Sequence, residues 1–189
     1  MEPVTLTTGR LLLRTVGPRD TDAVYAICQD PDIQRWTTIP SPYLPEHARG
    51  FTEQMAPDGW ANGSMFTFGV FLPTGELTGM ISITMRSLGM GEIGYWGAKE
   101  HRGNGYVTEA AVAVSRWAFT RLSVDRVEWR AEVGNTASRA VAERAGFTVE
   151  GVLRSSLNNK GVLRDCWVGS LLPSDLGLTS TAPYVPGRG

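Results

Sequence analysis

The chain has 189 residues, 42% hydrophobic and 20% charged, the balance of one ordinary domain that can bury a full core. Its formal net charge of −1 argues against a nucleic-acid binder that relies on a broad basic surface. Cys28 and Cys166 make no disulfide framework, His47 and His101 have no metal-ligand spacing, no apolar run is long enough to span a bilayer, and the start MEPVTLTTGR lacks the apolar core of a secretory leader, so we expect a cytoplasmic protein with no metal, no nucleic acid and no membrane among its partners.

In chain order, RLLLRTV (Arg10 to Val16) reads as a strand. GPRDTDAVYAICQD then places Pro18 and Asp20 ahead of the apolar Ala23, Val24 and Ile27, a helix with an acidic first turn. PDIQRWTTIPSPYLP holds four prolines and reads as a loop. PEHARGFTEQMA reads as a second helix ending near Pro57 to Gly59. From Met65 to Met85 two strand-like runs flank PTGE, a hairpin signal. Met90 to Glu100 is a further strand, and its Gly91, Gly94 and Gly97 suggest a bulge or a close backbone approach. Val107, Ala110, Ala111, Val114, Trp117, Ala118 and Leu122 follow helical spacing and predict a helix from Tyr106 to Thr120. Arg126 to Val133 alternates as a strand, and NTASRAVAERAGF is a helix with Asn135 as its cap and Gly146 at its stop. Two last strands surround NNKG. We read residues 1–172 as a single domain and 173–189, rich in Pro, Gly, Ser and Thr, as a tail, flexible unless a neighbouring chain holds it. The order predicts a mixed α/β sheet, with parallel strands on either side of the Tyr106 helix.

The stretch EHRGNGYVTEA runs from a glycine-rich loop into the Tyr106 helix. A helix start leaves N–H groups unpaired and carries a partial positive charge. Gly103 and Gly105 open the backbone there and Arg102 adds a cation, which suits a phosphate or pyrophosphate. No Lys-Ser/Thr follows, so the loop is not a P-loop, and Thr108 stands where a third dinucleotide-binding glycine would be. Alone, R-G-x-G is equally compatible with a glycine turn before a helix.

The segment does not stand alone. EIGYW, EHRGNGYVTEA and NTASRAVAERAGFTVEGVLR, in that order, resemble the GNAT superfamily of acyl-CoA-dependent N-acetyltransferases. GRLLLR, DPDIQRW and the G-Y-x-T-E-A ending resemble its RimJ/RimL-like branch, which acetylates the N-termini of ribosomal proteins. The resemblance runs from Arg10 to Leu172. It implies the GNAT fold, with six or seven mixed strands splayed at the CoA site and about four flanking helices. It implies acetyl-CoA as cosubstrate, with the N–H groups of Arg102, Gly103, Asn104, Gly105, Tyr106, Val107 and Thr108 on the diphosphate and Thr108 helping to cap the helix. Val107 departs from the small residue the family prefers there. The pantetheine arm is implied to add to the strand at Tyr95, Trp96 and Gly97, opened by a bulge, and to meet Asn135.

Acyl transfer to an amine requires that the amine lose its proton, that an oxyanion find a donor, and that a leaving thiolate be protonated. A backbone N–H near Tyr95 to Gly97 is the expected donor. Many superfamily members place a tyrosine acid seven residues after the motif asparagine, and that position is Ala142 here. Ser138, four residues earlier on the same helix face, takes the role by resemblance; the alternative for Asn135 and Ser138 is a cap and a small packing residue. Glu92 is either a base acting through water or an ordinary solvated carboxylate. Trp36 and Tyr43 lie in the loop that covers the acceptor site in this branch, with core packing expected for at least one. The expected acceptor is a protein or peptide N-terminus. A small amine, another acyl donor such as succinyl-CoA, and a CoA-binding module without turnover are the alternatives, and a homodimer is left open.

Overall fold

The computed structural model describes residues 1–87 and 89–187. Among them eight strands form one sheet in the order β1-β2-β3-β4-β5-β6-β8-β7. They are β1 (Leu6–Thr7), β2 (Leu12–Arg14), β3 (Met65–Phe71), β4 (Leu77–Ser87), β5 (Met90–Gly97), β6 (Arg126–Glu132), β7 (Thr148–Asn159) and β8 (Val162–Leu171). Seven answer to the runs read from the sequence. The eighth, β1, is two residues long and too short to leave a periodic signal. The helices are α1 (Thr21–Ile27), α2 (Pro31–Trp36), α3 (Pro45–Gly50), α4 (Ala56–Asn62), α5 (Tyr106–Arg121) and α6 (Thr136–Arg144). Neighbouring strands are antiparallel except β5 and β6, which run parallel with α5 as their crossover.

Two expectations fail for identifiable reasons. The proline-rich loop contains α2. Pro31 sits in its first turn, where a missing N–H costs nothing, and Asp30 caps it by accepting the Asp32 N–H at 3.0 Å. The second helix does not stop at Pro57. A wide turn over Phe51–Met55, closed by the Ala56 N–H on the Phe51 C=O, resets the hydrogen-bond register just before the proline. The chain stays helical to Asn62 and ends at Gly63, whose φ of 73° is left-handed.

One apolar cluster lies between the sheet and α5, where Trp60, Phe66, Phe68 and Trp117 pack with ring centroids 5.1–5.6 Å apart. A second gathers Val24, Cys28, Ile33, Tyr43, Ala48 and Met80 beneath α1 to α3. The two cysteines are buried and free, and burial pushes the Cys28 thiol up to about 12. After β8, Leu176 and Leu178 pack against the first cluster, and Thr181 donates its N–H and hydroxyl to Asp125 at 2.8 and 2.6 Å. Residues 188 and 189 of the expected tail lie outside the described residues. None of the described helices is long and apolar enough to cross a membrane.

Candidate active site

The loop from β5 to α5 turns its backbone outward. Gly103 and Gly105 have φ of 82° and 77°, a region open to glycine at little cost. No N–H from Gly103 to Thr108 is hydrogen-bonded among the described residues; the ladder begins with Glu109 N–H on Gly105 C=O at 3.0 Å. Six successive unpaired donors at the positive end of a 16-residue helix form a cradle for an anion. Gly105 itself occupies the cap position, so Thr108 does not cap the helix with its side chain.

Side chains hold the loop from behind. Arg10 donates to the Asn104 C=O at 3.0 Å and to Glu109 at 2.7 Å, and Thr8 donates to Glu109 at 2.5 Å. Burial raises the Glu109 carboxyl, but the Thr8 and Arg10 hydrogen bonds outweigh it and leave the group below its ordinary value. Glu109 is therefore a clamp for the loop. The Asn104 side chain turns back to the His101 C=O at 3.1 Å. Arg102, expected on an anion, is engaged by the carboxylates of Asp30 and Asp32 and by the Gly97 C=O. Val107 is accommodated by glycines. Its Cγ2 would stand 3.1 Å from a Cβ at Gly97 and 3.5 Å from one at Gly79, so it packs toward β4 and β5.

The opening beside this loop is a splay and involves no bulge. β5 stays in regular register with β4 from Glu92↔Thr84 to Gly97↔Gly79. Its pairing with β6 ends at Ile93↔Trp129. Beyond that point β6 continues with β8, and among the described residues the β5 edge from Gly94 to Gly97 has no strand partner on that side. Ala98 N–H reaches Thr78 C=O on β4, while the Gly97 C=O points the other way, to Arg102. By alternation, Tyr95 and Gly97 present their backbone groups to the open side.

The N-terminal turn of α6 stands across the splay. Asn135 caps it, accepting the Ser138 N–H at 3.2 Å. Trp129 Nε1–H donates to Ser138 Oγ at 3.0 Å, and Tyr95 O–H donates to the Ser138 C=O at 2.8 Å. Among the described residues the Ser138 hydroxyl has one weak acceptor, Tyr95 Oη at 3.4 Å. Its oxygen is fixed, and its proton is held only by that long contact, which a closer acceptor on a ligand can replace. Burial pushes the Tyr95 phenol up, partly offset by its hydrogen bonds with Ser138 and Trp129, so it stays protonated.

Two cavities meet at this turn. One, of about 380 Å³, runs along the glycine loop and the splay to Ala137, Val141 and Arg144 of α6. The other is a groove of about 1210 Å³ over the polar sheet face, walled by Tyr43, His47, Gln54 and Asp58 and floored by Glu92, Gly94 and Glu128. Trp36, Thr37, Tyr95, Trp96, Asn135 and Ser138 line both. Of the residues singled out in the sequence, Tyr95, Trp96, Gly97, Arg102, Gly103, Gly105, Tyr106, Val107, Thr108, Asn135 and Ser138 line the first cavity, and Asn104 does not. Glu92 lies in the groove only, held by Arg86 at 3.0 Å. Tyr43 is 5% exposed and serves the second core while touching the groove wall.

The sequence reading missed several residues here. Glu128, Arg130 and Glu132 line the groove, and Arg144 is a cation lining the first cavity. Glu128 pairs with Arg126 and Arg130; Glu132 pairs with Arg35 at 2.7 Å, whose hydrogen bond holds its carboxyl below the ordinary value despite burial. The signal was present: Arg126, Glu128, Arg130 and Glu132 alternate with Val127, Trp129 and Ala131, one polar and one apolar face of a strand. Among the described residues no cluster of His, Cys, Asp or Glu could hold a metal ion.

Comparison with known proteins gives a consistent frame. A model of the acetyltransferase (GNAT) domain matches residues 10–148. YdaF of Bacillus subtilis (strain 168), provisionally named a ribosomal N-acetyltransferase, is 34% identical over 86% of this chain and 91% of its own. The structure of a Vibrio cholerae protein, provisionally described as a ribosomal-protein-serine acetyltransferase, superposes with a TM-score of 0.82 at 27% identity, covering 92% of this chain and all of that one. RimJ of Mycobacterium smegmatis, in complex with CoA-disulfide, has a TM-score of 0.82 at 26% identity, covering 95% of this chain and 93% of its own. With its outward glycine loop, its splayed β5 and β6, and a matching family model over most of its length, the chain belongs to the GNAT acetyltransferase family.

Proposed function

We propose that the protein transfers the acetyl group of acetyl-CoA to the N-terminal α-amine of a protein or peptide. The observation that carries this reading is the meeting of two cavities at Tyr95, Trp96, Asn135 and Ser138, one beside an anion cradle and one over a polar sheet face. The unpaired N–H groups from Gly103 to Thr108 fit a diphosphate, and Arg144 adds a cation along the same cavity. The open backbone of Tyr95 and Gly97, with Asn135 opposite, suits an amide-bearing arm laid along the strand edge. Ser138 turns its hydroxyl proton from the long Tyr95 contact to the departing sulfur, and the Trp129 hydrogen bond holds its oxygen in place.

The groove favours a peptide over a small amine. At about 1210 Å³ it exceeds the usual range of small-ligand clefts. The provisional names of YdaF and the Vibrio cholerae protein point the same way. An α-amine, with an ordinary pKa near 8 against about 10.4 for lysine, needs little help to lose its proton; in this reading Glu92, which lines the groove, takes that proton through water.

A thiol-release assay with acetyl-CoA tests the reading. Peptides with a free N-terminus should give turnover; the same peptides blocked at the N-terminus but carrying an internal lysine should not. Release with polyamines and none with peptides would replace the acceptor, and tight CoA binding without release for any amine would leave a binding module.

A further inference from the structure

Among the described residues three buried polar side-chain atoms have no hydrogen-bond partner: Thr15 Oγ1, Thr67 Oγ1 and Ser115 Oγ. Of these residues only Thr67 lines one of the two cavities that meet at Ser138. It stands on β3 between the core residues Phe66 and Phe68 and is 1% exposed. Its C=O accepts the Trp60 Nε1–H at 3.0 Å, while its hydroxyl is left without a partner. Valine has nearly the same shape and would avoid that uncompensated cost. A hydroxyl kept unpartnered at a cavity wall points to a partner that arrives with a ligand.

The neighbours of Thr67 continue the pattern. Thr67 is directly opposite Ser82 on β4, and Ser82 is directly opposite Gly94 on β5. Opposed residues share a sheet face, and all three line the groove. At Gly94 a Cβ would meet only Ser82 Oγ, at 3.8 Å, so the missing side chain leaves that hydroxyl uncovered. Gly94 is also the first residue past the end of the β5–β6 ladder. With strands about 4.8 Å apart, the hydroxyl row starts at the splay and extends across two strands, within reach of the first residue of a peptide whose amine sits there.

We propose that Thr67 and Ser82 form an acceptor subsite for a neutral polar side chain, a hydroxyl or carboxamide, on the residue that presents the amine. The proposal rests on the reading of the groove as the acceptor side. A hydroxyl both donates and accepts, so the pair suits either group. No charge in the row offers a counter-ion, which sets this subsite apart from the ion-paired Glu92, Glu128 and Glu132.

The test uses the full chain, acetyl-CoA, and peptides identical except for Ala, Ser, Thr or Asn at the first position. The wild type should prefer Ser, Thr and Asn over Ala in kcat/KM. Thr67→Val should cut that preference about five- to tenfold, through KM rather than kcat. Ser82→Ala should act in the same direction, and Thr67→Ser should retain most of it. The Tm of Thr67→Val should equal or exceed that of the wild type, because a merely structural hydroxyl would lower it. An unchanged preference in both variants, or a lower Tm with an equal loss for all peptides, overturns the subsite. Absence of thiol release by the wild type with every peptide and amine overturns the transfer reading itself, and the subsite with it.

Discussion

The donor-side cavity and the acceptor groove share a boundary but are built differently. The cavity beside α5 takes its anion-binding groups largely from backbone: two left-handed glycines, six N–H groups and a strand edge, all unpaired among the described residues. The groove is made of side chains from β3, β4, β5, β6 and the helices α2 to α4, many of them locked in ion pairs. A backbone site depends on conformation, so a few positions can break it. A side-chain site spreads its recognition over many contacts, each replaceable. The two should therefore respond to substitution in different parameters, and that contrast can be broken experimentally.

The largest effect is expected where the regions meet. Ser138→Ala should lower kcat about a hundredfold while the acetyl-CoA Kd stays within twofold. A kcat equal to wild type would remove Ser138 from the chemistry and leave it as a helix residue beside Trp129. Next comes the backbone side. Gly105→Val places a β-branched residue at φ 77°, at a strain of roughly 1–2 kcal/mol. It should weaken acetyl-CoA binding about tenfold by calorimetry, with little change in acceptor KM. Acceptor KM moving more than the acetyl-CoA Kd would erase the distinction between the regions. On the groove side, Trp36→Ala should raise peptide KM about fivefold. Trp36 also lines the donor cavity, so its effect on acetyl-CoA binding measures how much the regions share.

The smallest effects are titrations. Glu109 and Glu132 both have carboxyls held below the ordinary value of 4.5. A depressed carboxyl adds stability that is fully present above the unfolded pKa and is lost as pH falls through the folded one. Glu109→Gln and Glu132→Gln should thus lower Tm at pH 6–7 and converge on the wild type well below pH 4.5. Only Glu109→Gln should also weaken acetyl-CoA binding, because Glu109 clamps the loop through Arg10. A Tm gap for either variant that persists at low pH would show that its carboxylate charge is not the stabilising feature.

The same contrast explains what the sequence made legible. EHRGNGY could be read because its cradle is one contiguous run: the glycines, the helix start and the preceding strand sit side by side. α5, α6 and the β3–β4 hairpin were read for a related reason, since each is set by local periodicity and by local stops. The ion pairs of Arg102 were not legible because its partners, Asp32 and Asp30, are 70 and 72 residues away in the chain and held at the start of a helix hidden among prolines. The bulge expected at Gly94 and Gly97 was a local explanation for a non-local event, the end of pairing with β6. Glu128, Arg130 and Glu132 are ordinary strand residues until the groove is assembled over them. Thr67 reads as a small β-branched strand residue, and only the folded packing leaves its hydroxyl without a partner.

In the proposed transfer, acetyl donor and amine acceptor meet where the two cavities share Tyr95, Trp96, Asn135 and Ser138. The most direct measurement is the affinity of a conjugate in which CoA is joined through an acetyl bridge to the α-nitrogen of an acceptor peptide. If both cavities are engaged at once, the conjugate should bind at least a hundredfold more tightly than CoA alone. A conjugate that binds no more tightly than CoA would contradict this meeting point, because the peptide would then have no site at the end of the donor cavity.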